Sequence, residues 1–218
     1  MGRDMTRMES EGICTICKSS FSKRGMTRHL QSCIEENLVK EKYSGAKTSL
    51  WRFFHLLVEG RYLPQYWLHL KVSNQARFSD LDSFLRDIWL ECCGHLSAFR
   101  IGREDIKMSA KFEYTLQPGM ILTHEYDFGT TTELSIRVVS KFESPPAKEY
   151  IQILARNDPP EIKCSFCDQP ATLICTECKY SNGGWLCEDC AKTHECDKDL
   201  FLPVVNSPRT GECGYTGS

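Results

Sequence analysis

The sequence feature that most constrains the fold is a run of cysteine pairs near the carboxyl end. Three Cys-x-x-Cys pairs and one His-x-Cys pair lie between residues 164 and 196. Eight such ligands complete two tetrahedral zinc sites with no open position, which is typical of structural rather than catalytic zinc. The predicted ligands are Cys164, Cys167, Cys175, Cys178, Cys187, Cys190, His194 and Cys196.

The thirteen cysteines of the chain indicate metal binding rather than disulfides. The first twelve residues have no apolar core of the kind that a secretory signal needs, so we expect a reducing, cytoplasmic location. No apolar run approaches the length of a membrane span, and we expect no membrane partner. A net charge of −2 argues against a chain built mainly to bind nucleic acid.

The order of the carboxyl-terminal ligands resembles that of cross-brace zinc modules such as the B-box and MYND fingers. The resemblance implies that the first and third pairs share one ion and that the second and fourth pairs share the other. A sequential pairing stays open, and Cys213 is a spare thiol that could replace Cys196. Residues 161–218 hold five basic and nine acidic side chains, which favours protein over nucleic acid as a partner.

A second zinc site is predicted near the amino terminus from Cys14, Cys17, His29 and Cys33. The first two residues fit a turn, and the last two are four residues apart on one face of a helix. The pattern resembles a two-cysteine, two-histidine zinc finger with cysteine as the fourth ligand. Eleven residues separate Cys17 from His29, one fewer than that finger usually has. With the carboxyl-terminal sites, three zinc ions are expected.

The basic residues of this finger could contact nucleic acid. Lys23, Arg24 and Arg28 are the predicted contacts. Finger docking geometry places Ser22, Gly25 and Arg28 at the base-reading positions, where only Arg28 can recognise a guanine. We therefore expect weak phosphate contact. A DNA-targeting regulator that uses the finger stays an alternative function.

The middle of the chain predicts an α+β domain with a central antiparallel sheet and packed helices. Thr48–Arg61 is expected to form a helix and Gln65–Val72 a strand, and Ser79 is expected to cap a second helix that runs to Cys92. Shorter alternating segments predict strands over 97–102, 107–116, 120–128, 132–142 and 149–155.

Three stretches of this domain, YWLHLKV, FSDLDSFLRDIWLECCGHLSAFRIG and LTHEYDFG, are similar to the plasmid pRi ORF-3-like domain, also labelled a TnpR-like transposon passenger. The resemblance covers roughly residues 62–145 and implies no established activity. Members of that family continue after YDFG with an aspartate, a tryptophan and a histidine. This chain has Thr130, Thr132 and Leu134 instead, which implies that any family site at those positions is altered.

An enzyme site around His95, His124 and Asp127 is the alternative to a binding function. No spacing forces these residues together, so the sequence assigns no catalytic residue. Cys92 is expected to face the core and Cys93 to end its helix before Gly94.

These observations favour a cytoplasmic zinc protein that acts as a protein-interaction scaffold or regulator, with weak nucleic-acid contact. The expected α+β domain is flanked by two small zinc-stabilised modules. The predicted parts are a disordered tail (1–11), a zinc finger with a helical extension (12–42), the ORF-3-like domain (46–157), a double-zinc module (161–200) and a tail that can dock (201–218).

Overall fold

The computed structural model describes residues 10–43, 49–181 and 183–217. Within them the chain forms one large and one small antiparallel sheet. The strands of the large sheet are β1 (Glu11–Cys14), β2 (Ser20–Ser22), β3 (Trp51–Gly60), β4 (Trp67–Ser73), β5 (Ser97–Ile101), β6 (Glu104–Ile106), β7 (Ile121–Tyr126), β8 (Thr132–Ser144) and β9 (Ile151–Asn157).

The small sheet and the helices complete the described structure. The three short strands pair in the order β11-β10-β12, and the large sheet has the order β2-β1-β9-β4-β3-β8-β7-β5-β6. The α+β class is therefore confirmed. The remaining elements are α1 (Lys23–Tyr43), α2 (Phe78–Leu85), a π-helical turn (Arg86–Leu90), α3 (Phe112–Thr115), β10 (Leu173–Cys175), β11 (Trp185–Leu186), α4 (Glu188–Lys192) and β12 (Phe201–Pro203), with 3-10 turns at Lys179–Ser181 and Lys198–Leu200.

The helix predicted over Thr48–Arg61 is wrong, because this segment forms strand β3; Thr48 itself lies outside the described residues. Every side chain from 53 to 58 is buried, since both faces of the sheet are covered here. Leu57 packs on the α1 side, whereas Phe54 packs in the core on the α2 side. A strand buried on both faces loses the alternation that identifies a strand in a sequence.

The other alternating segments give mixed outcomes. Strands β4, β5, β7, β8 and β9 confirm five of the predictions to within a few residues. The segment 107–116 is not a strand: Ala110 closes a turn onto Lys107, and the short helix α3 follows. This helix buries Phe112 against Phe54 and Phe78. The apolar side chain therefore packs into the core from a short helix rather than from one face of a strand.

Helix α2 begins and ends earlier than the sequence predicted. Its amino-terminal cap is Arg77 rather than Ser79, and the backbone N–H of Arg77 donates to Asp80 Oδ2 at 2.7 Å. The π-helical turn ends at Leu90, so Cys92 and Cys93 lie in the loop that follows. Cys92 still packs against the core, whereas Cys93 is exposed.

The amino-terminal finger is joined to the large sheet. Strand β1 pairs with β9, and Met26 of α1 is fully buried in one cluster with Leu57 and Trp67. Gly12 allows β1 to lie against Trp67, because a Cβ at residue 12 would be 2.6 Å from the Trp67 ring. Ser10 accepts a hydrogen bond from Trp67 Nε1 at 2.7 Å. Of the predicted tail, residues 1–9 lie outside the described residues.

The segment after the small sheet packs back onto the large one. Strand β12 pairs with β10, and Tyr215 and Arg209 beyond it are almost completely buried. Among the described helices, none is long and apolar enough to cross a membrane.

Candidate metal centres

The amino-terminal cluster brings together the four ligands predicted for the finger. Cys14 ends β1, Cys17 lies in the turn, and His29 and Cys33 are one turn apart on α1. Their ligand atoms lie within 4.8 Å of one another, with Cys14 Sγ 4.0 Å from Cys33 Sγ and Cys17 Sγ 3.2 Å from His29 Nε2. Three sulfurs and one imidazole nitrogen form a donor set that suits zinc.

Local structure fixes these ligands. Lys18 has a positive φ of 65° and donates its N–H to Cys14 O, which closes the turn that carries Cys17. The ring of Phe21 stacks on His29 with 4.1 Å between centroids and so restrains the imidazole. The Lys18 turn and the stacked Phe21 ring therefore hold Cys17 and His29 in place for the cluster.

Two thiols of this cluster have pKa values shifted in opposite directions. Hydrogen bonds from Ser19 lower the pKa of Cys17 to about 6. Burial, and then the charge of Cys14, raise the pKa of Cys33 to about 12. Thiolates crowded in this way repel one another, and a divalent cation removes that repulsion.

The second cluster holds Cys164, Cys167, Cys187 and Cys190. Cys167 Sγ lies 3.6 Å from Cys187 Sγ and 3.7 Å from Cys190 Sγ. Helix α4 starts directly after Cys187, whose sulfur accepts the N–H of Cys190 at 3.5 Å. Burial acts to raise the pKa of Cys164, but hydrogen bonds from the backbones of Phe166, Cys187 and Cys167 outweigh it and lower the pKa to about 6.

The third cluster holds Cys175, Cys178, His194 and Cys196. Cys178 Sγ and Cys196 Sγ are 3.5 Å apart. His194 Nε2 is buried, and no protein atom among the described residues hydrogen-bonds to it. A buried imidazole nitrogen without a protein partner is what a metal ligand presents. A zinc ion therefore fits this donor set.

The two carboxyl-terminal clusters follow the cross-brace order. The first Cys-x-x-Cys pair lies with the third, and the second lies with the His-x-Cys pair. The described residues show no sequential grouping of these pairs, and Cys196 rather than Cys213 lies in the third cluster. Only three residues lie between Cys190 and His194. Helix α4, which contains Cys190 and ends at Lys192, lets these two residues belong to different clusters.

The residues of the alternative enzyme site have different surroundings. His124 is fully buried, where its Nε2 lies 2.8 Å from Asp82 Oδ1 and its ring packs on Phe99. Asp127 pairs with the buried Arg209 at 2.7 Å. His95 Nε2 lies 3.4 Å from Asp127 Oδ2 but closer to two thiols. His95 and Asp127 therefore lie beside each other, whereas His124 pairs with Asp82 instead.

Those thiols form a cluster that the sequence did not predict. Cys92, Cys93 and Cys213 lie with His95, all ligand atoms within 4.8 Å of one another. Cys92 packs against the core as expected. Cys93 does not end a helix, because the π-helical turn stops before it at Leu90. The signals available in the sequence were the Cys-Cys-x-His run and the one spare thiol.

The basic residues of the finger are arranged on α1 in two ways. Lys23 forms an ion pair with Glu59 at 2.6 Å and donates to Pro64 O. Arg24 and Arg28 are exposed. Contact of these residues with nucleic acid stays a prediction.

A cleft of about 520 Å³ lies at the edge of β9, between the α1 and α2 sides of the sheet. Ile34 and Leu38 of α1 line one side together with Phe142. Phe84 of α2 and Ile153 line the other side. None of His95, His124 and Asp127 lines this cleft.

No protein-family model matches the sequence, and no curated protein matches it significantly. A solved structure described as a protein of unknown function, MM3350 from Methanosarcina mazei Go1, is similar to part of the chain. The two are 18% identical with a TM-score of 0.44, over 50% of this chain and 70% of that one.

Proposed function

We propose that the protein is a zinc-stabilised scaffold or regulator that binds an extended segment of a partner protein at the edge of β9. The metal clusters support a structural role for zinc, because each offers four protein ligands and leaves no coordination position for a substrate. The cleft beside β9 is the observation that supports binding.

One edge of β9 is only partly paired. One edge of β9 pairs with β4 from Ile151 to Arg156. The other edge pairs with β1 only over residues 155–157. Thr15 follows, with its N–H donating to Leu154 O at 2.8 Å and its hydroxyl lying 2.9 Å from both Leu154 O and Ile153 O. Among the described residues, no strand pairs with Ile151 and Gln152 on that side. A peptide in extended conformation can add to such an edge through backbone hydrogen bonds.

The walls of the cleft indicate which peptide fits. An added strand would project alternate side chains toward opposite faces of the sheet. One set would meet Ile34 and Leu38, and the other would meet Phe84. Because both sides are apolar, the preferred segment has consecutive apolar residues rather than an alternating pattern. The polar rim includes Glu149 and Lys71, and Lys71 Nζ donates to Ser144 Oγ at 2.6 Å.

A peptide library displayed on phage tests this proposal. The zinc-loaded full chain is the target, and enriched peptides are synthesised and measured by fluorescence anisotropy. The cleft variant is Leu38→Lys, which puts a charge into the apolar wall. The matched control is Val39→Lys, the next residue on α1, which is 51% exposed. Both changes add the same charge to the same helix.

We expect enriched peptides to carry a run of apolar residues and to bind Leu38→Lys at least about tenfold more weakly than the wild-type chain. Val39→Lys should bind as the wild type does. Enrichment of no sequence, or equal affinity for the two variants, would contradict binding in this cleft.

A further inference from the structure

The cluster of Cys92, Cys93, His95 and Cys213 joins two distant parts of the chain. The first three residues lie in the loop between the π-helical turn and β5, and Cys213 lies in the carboxyl-terminal tail. Cys93 Sγ lies 3.7 Å from Cys213 Sγ and 3.0 Å from His95 Nε2, and His95 Nε2 lies 3.1 Å from Cys213 Sγ. Cys92 Sγ is 3.7 Å from Cys93 Sγ.

These separations fit one shared metal ion. A disulfide needs sulfurs about 2.05 Å apart, which is far shorter than 3.7 Å. Two thiolates bound to the same tetrahedral zinc ion at about 2.3 Å lie about 3.8 Å apart. The second cluster shows the same spacing, because Cys167 Sγ lies 3.6 Å from Cys187 Sγ and 3.7 Å from Cys190 Sγ.

We propose that this cluster binds a fourth zinc ion, which clamps the carboxyl-terminal tail to the middle domain. Three thiols and one imidazole are a closed structural donor set. With this site, every one of the thirteen cysteines belongs to one of four clusters, each with four ligands. His95 is then a metal ligand and not a general base.

Backbone structure places the loop ligands. Gly94 has a φ of 77°, a conformation that favours glycine, and lies between Cys93 and His95. Its N–H donates to Glu91 Oε1 at 2.6 Å, and Arg86 holds the same carboxylate at 2.6 Å. The loop is therefore fixed in the shape that puts Cys93 and His95 side by side.

Protein contacts also place the tail ligand. Arg209 is fully buried and donates to Asp127 Oδ2 at 2.7 Å and to Thr132 Oγ1 at 2.9 Å. Ser207 Oγ donates to Trp89 O at 2.6 Å. Cys213 follows only a few residues later, so it reaches the cluster from a segment that is already anchored.

Arg209 connects the anchor to the metal ligands. Its Nη2 lies 3.5 Å from Cys92 Sγ, besides its ion pair with Asp127. Three thiolates and one zinc ion carry a net charge of −1, which a neighbouring guanidinium stabilises.

Exposure distinguishes this site from the other three. Cys93 and Cys213 are exposed, and none of its four ligands is buried. Each of the other clusters has at least one buried cysteine. We therefore expect the clamp ion to be the first that a chelator removes.

The first test uses the wild-type chain, loaded with zinc and kept reduced. A chelator is added stepwise, released zinc is measured, and exposed thiols are alkylated and mapped by mass spectrometry. The first ion released should coincide with alkylation of Cys92, Cys93 and Cys213. Alkylation of Cys93 and Cys213 without any zinc loss would overturn the proposal.

The second test uses two variants from opposite sides of the clamp, Cys213→Ser and Cys93→Ser. Each should lower the zinc content by one ion per chain, and each should increase hydrogen exchange in the tail after residue 209. Thr216→Ser, an exposed residue of the same tail, is the control and should change neither. Unchanged zinc content in either folded cysteine variant would also overturn the proposal.

Discussion

Replacing Met26 by alanine tests whether the amino-terminal finger is an independent module or part of the sheet domain. Met26 lies on α1, is fully buried, and packs in one cluster with Leu57, Trp67 and Leu154. Removing a buried methionine side chain costs about 3 kcal/mol, because apolar contact is lost and a cavity remains. If α1 and the sheet unfold as one unit, the whole sheet loses this stability.

Hydrogen exchange in β8 measures the effect far from the mutation. Strand β8 (Thr132–Ser144) pairs with β3 and β7 in the interior of the sheet. Its slowest amides exchange only when the sheet opens. A loss of about 3 kcal/mol should speed that exchange about a hundredfold and lower the urea midpoint by about 1.5 M, for a slope of about 2 kcal/mol/M.

Val39→Ala is the control, since Val39 lies on the same helix and is 51% exposed. It should cost less than about 0.5 kcal/mol. Zinc content is measured in both variants so that loss of metal is recognised. Unchanged exchange in β8 of the Met26→Ala variant would show that the finger is an independent module and would refute the reasoning.

Three further outcomes follow from buried groups and metal ligands. Arg209→Met should destabilise the chain by about 3–5 kcal/mol because it leaves the Asp127 carboxylate without its cation, and adding Asp127→Asn should restore part of the loss in thermal unfolding. Burial lowers the pKa of His55, which contacts His69 at 2.7 Å, from 6.5 to about 4. The unfolded chain therefore binds more protons, and the free energy of unfolding should fall as the pH drops from about 6.5 to about 4. The fall should be smaller in His55→Gln, which a comparison of unfolding midpoints across this pH range would show. Cys187→Ser should remove one zinc ion and leave the cluster with His194 loaded, as element analysis would show.

The metal ligands with short spacing could be predicted because local geometry decides them. A Cys-x-x-Cys turn points two thiols to one side, and residues four apart on a helix share a face. The cross-brace order was implied by a resemblance to known modules, and the structure groups the same pairs. These parts of the site needed no knowledge of the tertiary fold.

Cys213 could not be assigned in this way. It lies 120 residues from Cys93 in the chain, so no local pattern links the two. They meet because the tail crosses the middle domain, where Arg209 pairs with Asp127. A spare thiol and a Cys-Cys-x-His run can be recognised in the sequence, but their meeting cannot.

Strand β3 shows why part of the fold was also predicted wrongly. Its apolar run from 53 to 58 fits a broad helical face as well as a strand buried on both sides. What decides between them is α1, which covers the second face of the sheet through Met26 and Leu30. The strands with one polar face, such as β7, kept their alternation and were predicted correctly.

A native mass spectrum of the reduced chain of 218 residues tests most directly whether zinc organises the protein through all thirteen cysteines. We predict one main species that carries four zinc ions and no disulfide. A main species with three ions would contradict the clamp site at Cys213. A main species with fewer ions would also contradict the zinc sites of the finger or the carboxyl-terminal module. A mass lower by pairs of hydrogens, with correspondingly less zinc, would show that the thiols form disulfides instead.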